Sequence, residues 1–242
     1  MNDNIYAILA HGFPQNPDAP FLILPDGKRY SYQEMEQETA RYALVLIASG
    51  LTRGDRVAVQ VDKSAAAIFL YLGCVRAGLA YVPINPDCQS DDVDYFLNDA
   101  DAAVLVCRPS FLEKAQQLAW HTAASNVFTL GADGKGSLVE AASTQPTTFT
   151  TAHCTADELA AIMYTSGTTG RSKGAMLSHR NLSSNALVLH AYWGFVASDV
   201  ILHMLPIYHT HGLFVATHCA MLSGSPLLFE PRFDAQRALQ LM

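Results

Sequence analysis

Apolar and polar positions alternate along this chain in two periods, one suited to strands and one to helices. After a turn at Pro25, Asp26 and Gly27, the spacing of Ser31 and Glu34 makes a capping box and predicts a helix running towards Ser49, with Gly50 as its stop. Asp55 to Val61 then reads as a strand, Ser64 to Ala77 as a helix of small and apolar residues ending at Gly78, and Ala80 to Ile84 as another strand. Ser90 caps a short helix towards Asn98, Ala102 to Cys107 has the composition of a buried strand, Phe111 to His121 suits a helix and Val127 to Leu130 a strand. This rhythm predicts an α/β fold with mostly parallel, doubly wound sheets and flanking helices.

From Gly131 to Thr155 the chain turns to Gly, Ser, Thr, Ala and Pro with little periodicity, which predicts a connecting region. An apolar strand from Leu159 to Thr165 follows at once and needs neighbours in the same layered core, so one continuous domain is expected rather than two joined by a linker. Ser178 caps a helix through about Tyr192, with Leu182, Ala186 and Leu189 on one face and Gly194 as its exit. Val200 to Leu205 reads as a strand ended by Pro206, Gly212 begins an apolar helix through Leu222, and Pro226 to Glu230 forms a further strand. The final FDAQRALQLM suits a helix capped by Asp234 whose apolar pattern is still running at Met242, so the chain is expected to be a truncated part of something longer.

Half of the 242 residues are apolar, enough for a substantial core. The net charge of −7 and the lack of any Lys/Arg run argue against nucleic acid or anionic lipid as partner. Cys74, Cys88, Cys107, Cys154 and Cys219 are odd in number and widely spaced, which suits reduced thiols better than a disulfide frame or a zinc knuckle. The N-terminus has no basic stretch ahead of a sustained apolar one, and the greasy region from Phe214 to Phe229 is broken by His218, Gly224 and Pro226. No membrane span is expected, and a cytoplasmic location is the default.

The densest chemistry lies between Tyr164 and Gly174, in the run YTSGTTGRSKG. Gly167, Gly170 and Gly174 free the backbone to turn successive N–H groups around anionic oxygens. Thr165, Ser166, Thr168, Thr169 and Ser172 add hydroxyls, and Lys173 adds a mobile positive charge. The run suits a polyphosphate such as that of ATP. It does not fit the Walker template, because after the four residues that follow Gly167 stands Ser172 rather than glycine, and Gly174 rather than Ser or Thr follows Lys173. A plain solvent loop is the other reading of such a cluster.

This segment resembles the phosphate-binding signature of the adenylate-forming enzymes, the superfamily of acyl-CoA synthetases, luciferases and peptide-synthetase adenylation domains. LPIYHTHGL, from Leu205 to Leu213, is similar to a second motif of that family, and the whole chain, residues 1–242, matches the N-terminal portion of such an enzyme. Most members carry proline just before the lysine, where Ser172 stands here. GRSKGAMLSHRNL and LPIYHTHGLFVAT are most similar to malonyl-CoA synthetases.

The resemblance implies an ATP- and magnesium-dependent acid–thiol ligase that passes through an acyl-adenylate, with a small carboxylic acid and coenzyme A as co-substrates. Malonate is the favoured acid, a medium- or long-chain fatty acid the first alternative and an aryl acid the second. A remnant that binds nucleotide or a partner without catalysis is the reading from a different class. By analogy Thr165, Ser166, Gly167, Thr168, Thr169, Gly170, Lys173 and Gly174 hold the β- and γ-phosphates, Thr165 lies near the magnesium ion, and Lys173 supplies charge. His209 corresponds to the family histidine that approaches the acyl carboxylate and the α-phosphate. Family members continue with a further magnesium motif, a hinge and a mobile C-terminal domain, so the fragment alone is expected to have little ligase activity.

Other residues keep two readings each. His209 and His211, with His203 and His218 nearby, fit a zinc site only if another ligand joins them, and His203 and His218 equally suit core positions. Tyr208 and Phe214 suit either an acyl pocket or ordinary packing. Arg171, Arg232 and Arg237 suit either an anion or solvent, and Gly212 either a close backbone approach or a helix entrance.

Overall fold

The computed structural model describes residues 2–165 and 171–242. It opens with α1 (Ile5–Leu9), β1 (Pro20–Ile23) and β2 (Arg29–Ser31), elements too short to give a periodic signal in the sequence. Next comes α2 (Tyr32–Ala48), and the Ser31–Glu34 capping box is formed: Glu34 N–H donates to Ser31 Oγ at 3.1 Å, and Ser31 N–H donates to Glu34 Oε2 at 2.7 Å. Then β3 (Arg56–Gln60), α3 (Ala65–Arg76), β4 (Ala80–Pro83), α4 (Ser90–Asp99) and β5 (Ala102–Cys107) follow in the expected alternation. Ser90 turns out to be the first helical residue of α4 rather than its cap. Gln89 holds the cap position without a side-chain bond, and Asp91 and Asp92 favour that end electrostatically instead.

After α5 (Leu112–Ala119) and β6 (Asn126–Thr129), the aperiodic connection holds one helix, α6 (Ser137–Ser143), which packs on α2. The remainder of that connection is tied to the body by polar contacts. Arg76 donates to Glu36 O at 2.8 Å and to Phe149 O at 2.8 Å, Ala152 N–H donates to Arg76 O, and Asp3 N–H to Cys154 O. β7 (Leu159–Thr165) and β8 (Lys173–Ser178) follow, then α7 (His179–Trp193), β9 (Ile201–His203), α8 (Thr217–Ser223), β10 (Leu227–Phe229) and α9 (Ala235–Leu241). Ser178 and Asp234 cap α7 and α9 as their spacing predicts, and Gly194 ends α7 in the left-handed conformation.

Two sheets result. One runs β6-β5-β3-β4-β7-β8, parallel except for β8, and the other runs β2-β1-β10-β9, parallel except for β2. Alternate residues of the larger sheet serve opposite faces, as a period of two requires. Val57, Val59, Val104, Val106 and Met163 join the main core, which also takes in α2, α3 and the smaller sheet through Phe21, Leu227 and Phe229. Ala58, Val82, Leu105 and Ile162 join a second core under α4 and α5. Helices therefore cover both faces, and α3, buried almost all round, lies inside the fold.

Candidate active site

The polyphosphate-type run is carried on a hairpin. β7 leaves the larger sheet at Thr165, and β8 returns antiparallel from Lys173, with Thr165 opposite Lys173 and Tyr164 opposite Gly174. Ser166, Gly167, Thr168, Thr169 and Gly170 lie outside the described residues. Because β7 is parallel to β4, Thr165 sits at the edge formed by the carboxyl ends of β3, β4 and β5. That is where open α/β sheets place their ligands.

The predicted binding residues that are described differ in what holds them. Thr165 and Lys173 are exposed, with Thr165 Oγ1 donating to Lys173 O at 3.5 Å. Gly174 lies within β8 and has no positive φ, so the conformational freedom expected of it is not used there. Its lack of a side chain serves close packing: a Cβ would meet Ile162 Cγ2 at 2.9 Å and the Tyr164 ring at 3.2 Å. Tyr164 in turn donates to Asp99 Oδ2 at 2.7 Å, and its hydroxyl is pushed well above its ordinary pKa by burial and by that carboxylate. Arg171 spreads over the Tyr95 ring, 5.1 Å from its centroid.

The second motif stands at the carboxyl end of β9. Beyond Pro206 the chain passes Tyr208 and His209 and enters a π-helical turn, His211–Ala216, which continues directly into α8. His209 is exposed, its ring lies 4.5 Å from that of Tyr208, and its carbonyl accepts from Leu213 N–H at 2.9 Å. Wider turns of this kind concentrate at functional sites. Gly212 makes its close approach to the backbone of Pro206, where a Cβ would lie 2.2 Å from the carbonyl oxygen.

The neighbouring histidines are core residues. His203 Nε2 donates to Gly212 O at 2.8 Å, and His218 Nε2 pairs with the Tyr71 hydroxyl at 2.7 Å. Burial pulls their pKa values down to about 4 and about 3 respectively. Among the described residues no group of three His, Cys, Asp or Glu is placed to share a metal ion. Phe214 is buried between Tyr71 and His218, and Arg237 is paired with Glu230 at 3.0 Å. Two contributors escaped the sequence reading altogether: Tyr95, which donates to Ser172 O at 2.9 Å, and Lys63, which reaches His203 O at 2.9 Å. Neither lies in a motif; only the fold brings them to the edge.

Residues 9–242 match the AMP-binding enzyme family. The chain belongs to that family. It superposes over its whole length on MatB from Rhodopseudomonas palustris, 46% identical, with a TM-score of 0.95 for the apo crystal structure and 0.96 for the ATP-bound one. It covers 47% and 48% of those two chains. A crotonobetaine/carnitine–CoA ligase from Escherichia fergusonii is 29% identical over 216 residues, which span 86% of this chain and 42% of that one. The chain thus spans less than half the length of these relatives. Among the described residues no helix is long and apolar enough to cross a membrane.

Proposed function

We propose that this chain is the nucleotide-gripping part of an AMP-forming acid–thiol ligase whose acid is malonate or a close small dicarboxylate. The observation that supports this most is the 46% identity, sustained over the whole chain, to a protein crystallised with ATP. In the reaction proposed, a carboxylate oxygen attacks the α-phosphorus of ATP and the bond to pyrophosphate breaks, giving an acyl-adenylate. The sulfur of coenzyme A then attacks the acyl carbon and AMP leaves.

Acid and nucleotide are both anionic, so neutralising their repulsion governs the first step. Lys173, exposed at the start of β8, brings its ammonium to the departing pyrophosphate, and the glycines and hydroxyls between Thr165 and Gly174 suit the β- and γ-phosphates by their composition. The Thr165 hydroxyl, exposed at the end of β7, suits a magnesium ion that takes most of its ligands from phosphate and water. Such an ion would supply positive charge to offset that of the phosphates. His209, also exposed, offers its one N–H to the acid carboxylate or the α-phosphate as the two approach.

Calorimetric titration of the 242-residue chain with ATP and magnesium tests the grip. Lys173→Ala is expected to weaken binding by about tenfold or more, the effect of losing one charge-assisted contact. Unchanged affinity would remove Lys173 from the site. A pyrophosphate-exchange assay with malonate is expected to show little turnover by the isolated chain, and robust malonyl-CoA formation would refute that part.

A further inference from the structure

We propose that Lys63 is a positioning residue for the His209 segment, pinning the carboxyl end of β3 to the carboxyl end of β9. Its importance for ligation rests on the role given above to His209, whereas the tie itself rests on geometry. Lys63 stands in the loop between β3 and α3, on the sheet that carries the phosphate hairpin. Its Nζ donates to His203 O at 2.9 Å and lies 4.4 Å from the centroid of the Phe229 ring, both on the other sheet. The His203 ring packs on the same Phe229 at 5.0 Å.

From His203 the contacts run to the second motif without a gap. A carbonyl only accepts, so His203 Nε2 carries the proton that bonds Gly212 O, which also accepts from the Thr217 hydroxyl at 3.2 Å. Nδ1 is then buried with no partner among the described residues, as suits a ring kept neutral. Gly212 is wedged against Pro206, and the next residue, Leu213, donates to His209 O. The ammonium thus adds a second donor, beside Glu230 N–H at 3.1 Å, to the strand end from which the ring and the turn around His209 are held.

The charged groups around Lys63 are few. Glu230, buried at the end of β10, faces it and is shared with Arg237 of α9, while Asp62 is its neighbour in the loop. Burial lowers Lys63 to about 7 against the pull of Glu230, and the Lys63 charge adds to the burial that lowers His203. A side chain held so, between two sheets rather than in solvent, costs ordering and desolvation that a merely solubilising lysine avoids.

Amide exchange and histidine side-chain NMR spectra of the 242-residue chain test the tie. In Lys63→Met the Leu213 amide should exchange about tenfold faster and the His209 imidazole signals should move, while Val57 and Val104 in the larger sheet keep their protection to within roughly twofold. Lys63→Arg, which retains a cationic donor, should restore both signals towards the original. Unmoved Leu213 and His209 in Lys63→Met would overturn the proposal. Should that variant fail to fold, Lys63→Ser, polar but too short to reach His203 O, decides on the same two signals: faster Leu213 exchange supports the tie and unchanged exchange refutes it. Adding ATP, magnesium and malonate separates the two ideas. If the His209 signals do not respond to these ligands, the role of His209 fails, while the Leu213 exchange still reports on Lys63 alone.

Discussion

The hydroxyl of Tyr95 donates to the carbonyl of Ser172 across 2.9 Å, so a side chain of α4 holds the residue immediately before Lys173. Tyr95 also stacks under Arg171 and meets Tyr164 edge-on at 6.1 Å, and Tyr164 is itself bonded to Asp99 at the end of the same helix. Helix α4 therefore braces both legs of the hairpin. Flanking residues fixed beforehand favour binding, because less ordering is left for the ligand to drive.

Tyr95→Phe keeps the ring and removes only this bond. The expected result is a loss of roughly three- to tenfold in ATP affinity by calorimetry, with global stability lowered by no more than about 1 kcal/mol, the net worth of one hydrogen bond. Unchanged affinity would show that α4 does not act on the loop through Ser172.

Gly212 and Gly174 both make close contacts, but a methyl group should cost different amounts at the two. At Gly212 the obstacle is the Pro206 carbonyl at 2.2 Å, part of a backbone that cannot swing aside. Gly212→Ala should lower stability by about 2–4 kcal/mol in urea titration and displace His209 with the turn. At Gly174 the nearest atom, 2.9 Å away, is the Ile162 Cγ2 methyl, a side-chain rather than a backbone atom facing the edge strand β8, and about 1–2 kcal/mol is expected for Gly174→Ala. Equal costs would show that the turn relaxes more easily than the Pro206 contact implies.

How far such features can be read from sequence depends on whether they are local. The box at Ser31 and Glu34, the Ser178 cap of α7 and the Gly194 exit involve residues within a turn of one another, and all three form where their spacing predicts. The parallel order of β3, β4 and β5 follows from the same alternation of helix and strand. β8 had no such signal, because its exposed Lys173, Ala175 and Met176 lie on a sheet edge and show no apolar alternation. The hairpin geometry of the polyphosphate-type run was hidden with it. Motif residues Thr165, Lys173 and His209 stood out by composition, whereas Lys63 and Tyr95 reach their partners across 140 and 77 positions of chain and carry no local mark.

The buried histidines make acid the natural threat to this fold. His179, His203 and His218 are 0%, 1% and 1% exposed, and burial lowers them from the ordinary 6.5 to about 4, 4 and 3. Between those values and 6.5 the unfolded chain binds more protons than the folded one, so the stability these rings carry is complete above about pH 6.5 and is lost as pH falls towards 4, whereas the lowered Lys63 adds a separate gain between about 7 and 10.5. As upper bounds the shifts correspond to roughly 3 kcal/mol each for His179 and His203 and roughly 5 kcal/mol for His218, and three together rival the whole stability of a typical domain. Asp157 and Glu158, held low by Arg180 and by the Thr155 N–H respectively, act in the same direction but at lower pH, in the ordinary carboxylate range. Urea midpoints measured from pH 7.5 down should therefore fall most steeply between about 6 and 4.5. His218→Gln keeps an amide partner for the Tyr71 hydroxyl and removes one titrating ring, so it should flatten that fall by about a third while lowering stability at pH 7.5. A midpoint that stays level down to pH 4.5 in the unsubstituted chain would mean that the rings take up protons without leaving the core.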